Sequence, residues 1–305
     1  MKFQRDILID KIYEMALKDK DIYFISADLG APALDRLRDD LPEQFIHAGI
    51  SEQNMIDVAA GLALSGKKVY VYAMGPFITL RCLEQLKCSL AQMNLPVTVI
   101  SVGLGLGYAD AGPTHYITED LACLRSIVNF EVYTPSDIST VVELAELTNK
   151  KPALRVLRLD RNALEDIHNQ GLSIENGFVE LKRGSRIGIL SCGYVLQRIH
   201  KNWDEINEDQ DIGLVDVFKN KPVNIKALKN IFEKYNNIIT VEEQCLSGGF
   251  GSSILEAISD LDMKNPVKRL GLEDRYYFEN GGREHLLNTF GLSNQQLKDT
   301  IKSIS

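Results

Sequence analysis

The sequence predicts an α/β protein with two domains, each built on a mainly parallel sheet that is flanked by helices. Short apolar runs that suit buried strands alternate with helical patterns along most of the chain. This alternation breaks once, over 166–184, where Gly, Asn and charged residues show only weak periodicity. A chain of 305 residues is also too long for one ordinary core. We therefore expect a first domain at 1–165, a linker at 166–184 and a second domain at 185–305.

The strands of the first domain are predicted from short apolar runs rich in β-branched and aromatic residues. In an open sheet of parallel strands, ligands bind beyond the carboxyl ends of the strands, so the residues that follow these runs are candidates for a site. The runs lie at 21–28, 68–73, 97–103, 131–137 and 153–159.

Helices are predicted between these strands. Residues 51–66 carry apolar side chains at helical spacing, and a further helix runs from the end of the second strand region to about Gln92. Ser136 and Asp137 suit the N-cap of a helix over 139–150.

The alternation restarts after the linker. Three apolar runs predict the strands of a second, smaller α/β domain of about 120 residues, within the usual size of a domain. They lie at 186–193, 212–218 and 237–243.

Charge and composition exclude several classes of function. A net charge of −8 and a pI near 5.3 argue against a nucleic-acid or anionic-membrane surface, which would need a basic face. No apolar run is long enough to span a bilayer, and the N-terminal segment reads as an amphipathic helix and not as a signal peptide. The five cysteines are widely spaced, which is typical of free thiols. We expect a cytoplasmic protein.

Two segments of the first domain contain candidate catalytic residues. Glu52 begins an apolar-faced helix, where backbone N–H groups favour a negative group, although an acid in a first helical turn is also ordinary. The Gly-rich segment 103–115 follows a predicted strand and ends in His115, a plausible proton carrier. Alternatively, these glycines only form the turn and His115 caps a helix or lies in the core.

Two further segments suit anions. Arg161 follows a predicted strand, where its guanidinium would suit a phosphate or carboxylate, and an interdomain salt bridge is an equal alternative. The segment 242–253 runs from a strand through a Gly/Ser loop into a helix, whose first N–H groups could bind an anion. A tight turn with close packing explains the same residues.

Taken in order, these motifs resemble the transketolase family over nearly the whole chain. Gly49-Ile-Ser-Glu52-Gln resembles its glutamate motif, and Gly112-Pro-Thr-His115 its histidine loop. Thr134-Pro-Ser-Asp137 follows at the familiar distance, and the segments at 242–251 and 271–274 resemble the closing domain. The resemblance implies a thiamine-diphosphate pyrimidine-binding fold followed by a transketolase C-terminal fold.

The resemblance also implies roles for particular residues. The family supplies a glutamate, here Glu52, to N1′ of the aminopyrimidine, where it favours the tautomer that activates the thiazolium carbon. His115 would act on substrate oxygens, so Glu52 and His115 are the expected catalytic residues. The expected cofactor-binding residues are Asp28, Glu52, Phe77 and Leu80, and the expected substrate-binding residues are Arg81, His115 and Arg161.

One family motif is missing from the chain. The diphosphate-binding domain of the family carries a Gly-Asp-Gly run and a later Asn that hold Mg²⁺, and no Gly-Asp-Gly occurs here. We therefore expect no metal site in this chain and a separate N-terminal transketolase subunit that holds the diphosphate and Mg²⁺. The resemblance implies a heterotetramer in which this chain also pairs with a second copy of itself.

Four positions depart from the family pattern. Gly103 and Ala111 stand where a histidine and an aspartate that contact sugar are usual, and Leu80 and Leu83 replace aromatic residues of the pyrimidine pocket. Losing polar groups that read sugar hydroxyls changes substrate preference, so the substrate could be a deoxy, unusual or nucleotide-linked sugar instead of an ordinary sugar phosphate.

Three alternatives remain open on the sequence. The chain could be the β subunit of a 2-oxo acid dehydrogenase E1 component, a deoxyxylulose-phosphate synthase-like enzyme that uses pyruvate, or a non-catalytic regulatory subunit. The Gly-Pro-Thr-His and Thr-Pro-Ser-Asp motifs favour a transketolase over the first, and Glu52, Asp28 and His115 disfavour the last.

Overall fold

A computed structural model describes residues 2–27, 31–169, 171–207 and 211–304. The strands are β1 Lys2–Phe3, β2 Ile22–Ser26, β3 Phe45–His47, β4 Lys68–Met74, β5 Val97–Val102, β6 Glu131–Tyr133, β7 Arg155–Leu159, β8 Ala163–Leu164, β9 Val179–Lys182, β10 Ile187–Ser191, β11 Ile212–Asp216, β12 Lys219–Lys221, β13 Asn237–Cys245 and β14 Val267–Leu272. The helices are α1 Gln4–Ala16, α2 Asp35–Asp40, α3 Glu52–Leu64, α4 Gly75–Ile78, α5 Leu83–Gln85, α6 Asp120–Ser126, α7 Ile138–Lys150, α8 Gly193–Lys201, α9 Trp203–Asn207, α10 Ile225–Lys234, α11 Phe250–Asp260, α12 Gly282–Thr289 and α13 Asn294–Ser303.

The larger sheet has the strand order β12-β6-β7-β5-β4-β2-β3. All neighbouring strands in it run parallel except β12, which pairs antiparallel with β6. Its central strands are buried, as expected for a parallel sheet covered by helices on both faces. The carboxyl ends of β2, β4, β5 and β7 therefore lie together at one edge.

Helix α3 covers one face of this sheet with its apolar side. Met55, Ile56 and Ala59 are fully buried there, in the same core as Val71 and Val99 of the central strands. Burying such side chains stabilises the fold by about 1.5–3 kcal/mol each for the larger ones. This packing holds the first residue of α3, Glu52, at the sheet edge.

The smaller sheet has the strand order β14-β13-β10-β11-β9, and only β9 runs antiparallel to its neighbour. The expected α/β class with two mainly parallel sheets is thus confirmed. The segment expected to be a linker, 166–184, includes β9, which is an edge strand of this sheet. Its four residues do alternate between apolar and charged, but so short a strand is hard to recognise in a segment rich in Gly, Asn and charged residues.

One strand crosses the proposed domain boundary. Strand β12 follows β11 of the smaller sheet in sequence, yet it pairs with β6 at the edge of the larger one. Residues 219–221 therefore belong structurally to the first domain's sheet.

The helix expected to run as far as about Gln92 is interrupted. Helix α4 ends at Ile78, and after α5 the chain continues as a π-helix over Leu86–Ala91. Thr79 donates its hydroxyl to the carbonyl of Gly75 at 2.7 Å, a local bond that competes with continuation of the helix. The interruption places Phe77 on the short helix α4 and Arg81 in the turn that follows it, above the sheet edge. None of the helices in the described ranges combines the length and the apolar character needed to cross a bilayer.

Candidate active site

The candidate residues follow the carboxyl ends of neighbouring parallel strands. Glu52 lies beyond β3, Phe77 and Arg81 beyond β4, His115 beyond β5, and Arg161 beyond β7. This is the edge at which open α/β sheets bind ligands.

Glu52 is a buried acid at the first position of α3, and only 4% of it is exposed. The turn before it is set by local bonds. Gly49, at φ +69°, donates its N–H to Nδ1 of His47 at 3.1 Å, and the Ser51 hydroxyl donates to the Ala48 carbonyl at 2.6 Å. The dipole of α3 favours a negative group at this position.

A series of contacts links Glu52 to three other side chains. Arg81 donates Nη1 to Oε2 of Glu52 at 3.1 Å, and its guanidinium lies 4.2 Å from the ring centre of Phe77. The ring of Phe77 meets the ring of His115 edge to face, with 5.4 Å between their centres. The structure therefore brings together a buried carboxylate, an aromatic wall and an imidazole from three separate segments.

A main-chain hydrogen bond joins the two ends of the loop that carries His115. The N–H of Ile117 donates to the carbonyl of Gly105 at 2.9 Å, which joins the two ends. The N–H of His115 donates to the carbonyl of Gly112 at 2.9 Å, and Gly112 has φ +79°, which a residue with a side chain rarely adopts. The hydroxyl of Thr114 lies 2.8 Å from Nδ1 of His115.

The space beside Gly103 is filled. A Cβ built on Gly103 would lie 2.1 Å from Cε2 of Tyr108, and Gly103 has φ +96°. A side chain at position 103 would therefore require the Tyr108 ring to move.

Arg161 contacts the same loop. Its guanidinium lies 4.6 Å from the ring centre of Tyr108, and Nη1 donates to the Gly107 carbonyl at 3.3 Å and to Oδ2 of Asp110 at 3.1 Å. The pKa of Asp110 is lowered, first by its own backbone N–H and then by Arg161. Arg161 remains 40% exposed, so an anion from solvent can reach it.

The remaining expected residues are placed as follows. Asp28 lies outside the described residues. Leu80 is half-buried in the turn after α4, and Ala111 is exposed at the end of the short 3₁₀ turn Ala109–Ala111. Leu83 lines a cavity of about 550 Å³ together with Ile127 and Val128.

The anion position expected in the second domain is taken by the chain's own carboxylate. Glu242 accepts the N–H of Phe250 at 2.5 Å and the N–H of Gly251 at 2.8 Å, at the N-terminus of α11. These N–H groups are therefore engaged within the chain. Burial raises the pKa of Glu242 to about 7, against the opposing effect of the two N–H donors.

A buried cluster beside the loop that carries His115 joins three residues to which the sequence assigned no role. Arg283 of α12 forms ion pairs with Asp160, which directly precedes Arg161, and with Glu243 of β13. The one available signal was the pair of adjacent acids, Glu242 and Glu243, in an otherwise apolar strand region. In the part of the chain that the structure describes, no group of three or more His, Cys, Asp or Glu side chains could hold a metal ion.

Comparison with known families gives two matches that cover most of the chain. The model described as "Transketolase, pyrimidine binding domain" matches residues 4–166, and "Transketolase, C-terminal domain" matches residues 178–297.

Curated relatives of two kinds are similar to the chain. A subunit of apulose-4-phosphate transketolase from Phocaeicola vulgatus is 30% identical over 300 residues, which cover 97% of this chain and 95% of the relative. "1-deoxy-D-xylulose-5-phosphate synthase" of Fusobacterium nucleatum is 30% identical over 304 residues, with 98% of this chain covered. The chain spans only 50% of that second relative's length.

Solved structures share the fold. A chain described as "Split gene transketolase, inactive beta4 tetramer" superposes with a TM-score of 0.89 at 23% identity, covering 100% of this chain and 98% of the other. A transketolase from Campylobacter jejuni gives a TM-score of 0.81 at 20% identity, covering 99% of this chain and 46% of the other.

Proposed function

The chain belongs to the transketolase family, of which it holds the pyrimidine-binding and C-terminal domains, and on that premise we propose that it transfers a two-carbon ketol unit between sugar substrates as one subunit of a two-subunit enzyme. The observation that carries this proposal is the gathering of Glu52, Phe77 and His115 at the sheet edge. A relative of matching length, which is itself named as one subunit of a transketolase, supports the two-subunit arrangement.

The residues at this edge fit one half of thiamine diphosphate. A buried carboxyl at a helix start suits a ring nitrogen such as N1′ of an aminopyrimidine, and the Phe77 ring offers an apolar surface for the pyrimidine. When bound, the cofactor would supply the carbanion chemistry of two-carbon transfer. Asp28 and Leu80 are proposed as further contacts of the cofactor.

We assign the diphosphate and Mg²⁺ to a partner subunit. The chain has no Gly-Asp-Gly run, and a diphosphate requires cationic compensation. The proposed assembly is a cytoplasmic heterotetramer of two such pairs, in which two copies of this chain also meet.

Each candidate residue of the site then has a proposed role. Glu52 would hold a proton at N1′, and its burial excludes the water that would weaken this bond. His115 would exchange a proton with substrate oxygens, with Thr114 orienting its ring through Nδ1. Arg81 and Arg161 would bind the substrate, and Arg161 suits a phosphate or nucleotide-linked group because of its exposed guanidinium.

The test is the reconstituted complex of this chain with a partner that carries the diphosphate-binding domain. We expect two-carbon transfer from xylulose 5-phosphate to an aldose acceptor drawn from a panel of sugar phosphates, deoxy sugars and nucleotide-linked sugars. Glu52→Gln should lower kcat by at least about 100-fold, the effect typical of removing a positioned proton carrier. Asp57→Asn, an exposed change on the same helix, is the matched control and should leave kcat unchanged. Turnover that persists in the Glu52→Gln complex would exclude the catalytic role of this chain.

A second candidate function follows from the 1-deoxy-D-xylulose-5-phosphate synthase relatives. In that case the complex would use pyruvate as donor and release CO₂. The same preparation decides between the two: CO₂ release from pyruvate with an aldehyde acceptor, without transfer from a ketose phosphate, would favour the synthase-like activity. A dehydrogenase E1 role would instead require 2-oxo acid decarboxylation coupled to an acyl acceptor.

A further inference from the structure

We propose that Glu243 of the second domain, held in place by Arg283, is a positioning residue that fixes the loop carrying His115. This inference rests on the proposed function, because it gives the second domain a part in the reaction assigned to His115. It concerns the loop over 103–118, which we call the histidine loop.

The carboxyl end of β13 contacts both ends of the histidine loop. Oε1 of Glu243 accepts the N–H of Leu106 at 3.1 Å, near the beginning of the loop. The N–H of Cys245 donates to the carbonyl of Thr118 at 2.8 Å, at its end. One strand of the second domain therefore holds the main chain on both sides of His115.

A second element of the same domain contacts the residue next to His115. The N–H of Tyr277 donates to the hydroxyl of Tyr116 at 2.7 Å, and both tyrosines are buried. His115 itself is half-buried and faces Phe77. The second domain thus holds the main chain of the loop and leaves the imidazole directed at the candidate site.

The contact between Glu243 and the loop leaves no free space. Gly105 has φ +57°, and a Cβ built on it would lie 2.5 Å from the carboxyl carbon of Glu243. Only glycine allows the loop to approach the carboxylate this closely. A shift of Glu243 would therefore move the loop.

Arg283 fixes Glu243 through paired bonds. Its Nε and Nη2 donate to the two carboxylate oxygens of Glu243 at 2.7 and 2.5 Å, and its Nη1 and Nη2 donate to Asp160 at 2.9 and 2.8 Å. The guanidinium also lies 3.7 Å from the ring centre of Tyr194. Because Asp160 directly precedes Arg161, Arg283 connects the histidine loop to the arginine that is proposed to bind phosphate.

Burial of this triad argues for a geometric role. Asp160, Glu243 and Arg283 are only 1%, 3% and 7% exposed. Two buried carboxylates on one guanidinium carry a large desolvation cost, and buried ion pairs add little stability compared with apolar packing. Bidentate bonds do fix direction and distance, which is what a loop with a catalytic side chain requires.

Glu243→Gln in the full complex tests the proposal. An amide N–H₂ at the place of Oε1 loses the bonds from Leu106 and from Nε of Arg283, and one at the place of Oε2 loses the bond from Nη2 of Arg283. We expect kcat to fall about tenfold with KM for the phosphorylated substrate changed less than about twofold, in the range found for coupled neighbours. Glu243→Asp keeps the negative charge that pairs with Arg283, but its shorter side chain withdraws from the N–H of Leu106. It should also lower kcat with little change in KM, so the proposal can be tested even if Glu243→Gln does not fold.

A double-mutant cycle separates positioning from stability. If Glu243 acts through His115, the effect of Glu243→Gln on kcat should disappear in a His115→Ala background. Asp216→Asn, at another buried carboxylate between the domains, is the matched control, and its effect should be equal in both backgrounds. Equal effects of Glu243→Gln in both backgrounds would overturn the proposal while leaving the ketol-transfer function intact.

Hydrogen exchange of the full chain provides a readout that needs no turnover. Glu243→Gln should speed amide exchange in peptides over 103–118 by about tenfold, as expected for local loosening, whereas Asp216→Asn should not. Unchanged exchange over these residues would overturn the positioning role. If the wild-type complex transfers no ketol unit and Glu243→Gln still speeds exchange over 103–118, the result counts against the proposed function alone.

Discussion

At the scale of single residues, Gly103 and Tyr108 shape one side of the candidate site. Gly103 has φ +96°, and a Cβ built on it would lie 2.1 Å from the Tyr108 ring, so a side chain at this position requires the ring to move. The ring also supports Arg161. We propose that an aromatic ring at this place, without a polar side chain at position 103, changes the substrates that the pocket prefers.

Gly103→Ala should destabilise the chain for two separable reasons. The positive φ alone costs about 1–3 kcal/mol for a residue with a Cβ, and the clash with Tyr108 adds to it. Gly66→Ala is the matched control, because Gly66 has φ +83° with nothing within 4 Å of a built Cβ. The melting temperature should fall further for Gly103→Ala than for Gly66→Ala, and Tyr108→Ala should recover part of that difference. Equal losses in the two alanine variants would contradict a clash with Tyr108.

At the scale of elements, helix α11 shows how a carboxylate of the chain replaces a ligand. Its first N–H groups point to Glu242, which reaches back from β13. An anion at a helix N-terminus is stabilised by the exposed N–H groups and the helix dipole. The element is therefore complete without an external anion.

Glu242→Gln should lower the free energy of unfolding at pH 8 by about 1–3 kcal/mol, the cost of leaving a buried N–H without an acceptor. The amide keeps one acceptor oxygen and presents an N–H₂ group to the other donor. Glu233→Gln, on the exposed side of α10, should change the unfolding free energy by less than about 0.5 kcal/mol. Denaturant unfolding measures both, and equal stabilities would show that Glu242 does not cap α11.

At the scale of the whole molecule, a buried cluster joins the segment 166–184 to both sheets. Nδ1 of His168 lies 2.9 Å from Asp137, the N-cap of α7, and Nε2 lies 3.3 Å from Asp216 of β11. Burial alone would lower the pKa of His168, but the bond with Asp137 raises it. Burial raises the pKa of Asp216 to about 7, and His168 opposes this.

This cluster predicts that stability falls as pH rises. Between about pH 4 and pH 7 the folded chain keeps a proton on Asp216 that the unfolded chain has lost, so unfolding becomes easier with rising pH. His168 acts in the same direction, because its contribution is complete below its ordinary pKa of about 6.5 and is lost as pH passes its raised folded pKa. The pKa of Asp137 is lowered to about 2, so this carboxyl titrates below this pH range. Burial alone would raise that pKa, but the hydrogen bond with His168 and the charge of His168 have the larger effect.

Asp216→Asn should flatten this dependence. If the folded and unfolded states differ by one bound proton, the unfolding free energy changes by at most about 1.4 kcal/mol per pH unit. The variant removes the part of this change that comes from the proton on Asp216. The measurement is denaturant unfolding at pH 5, 6, 7 and 8, with the exposed Asp260→Asn on α11 as control. Parallel curves for the wild type and Asp216→Asn would contradict the assignment.

The α/β class, most of the strands and the start of α3 at Glu52 were predictable from the sequence, because these depend on periodicity and turn chemistry between near neighbours. Sequence motifs also named Glu52, Phe77 and His115. The ring of Tyr108 beside Gly103 became visible only in the folded chain. The tertiary structure alone also paired β12 with the larger sheet and joined Asp160 and Glu243 through Arg283. These contacts join side chains or strands by packing and buried charge, and no local pattern encodes which distant partner will satisfy a buried group.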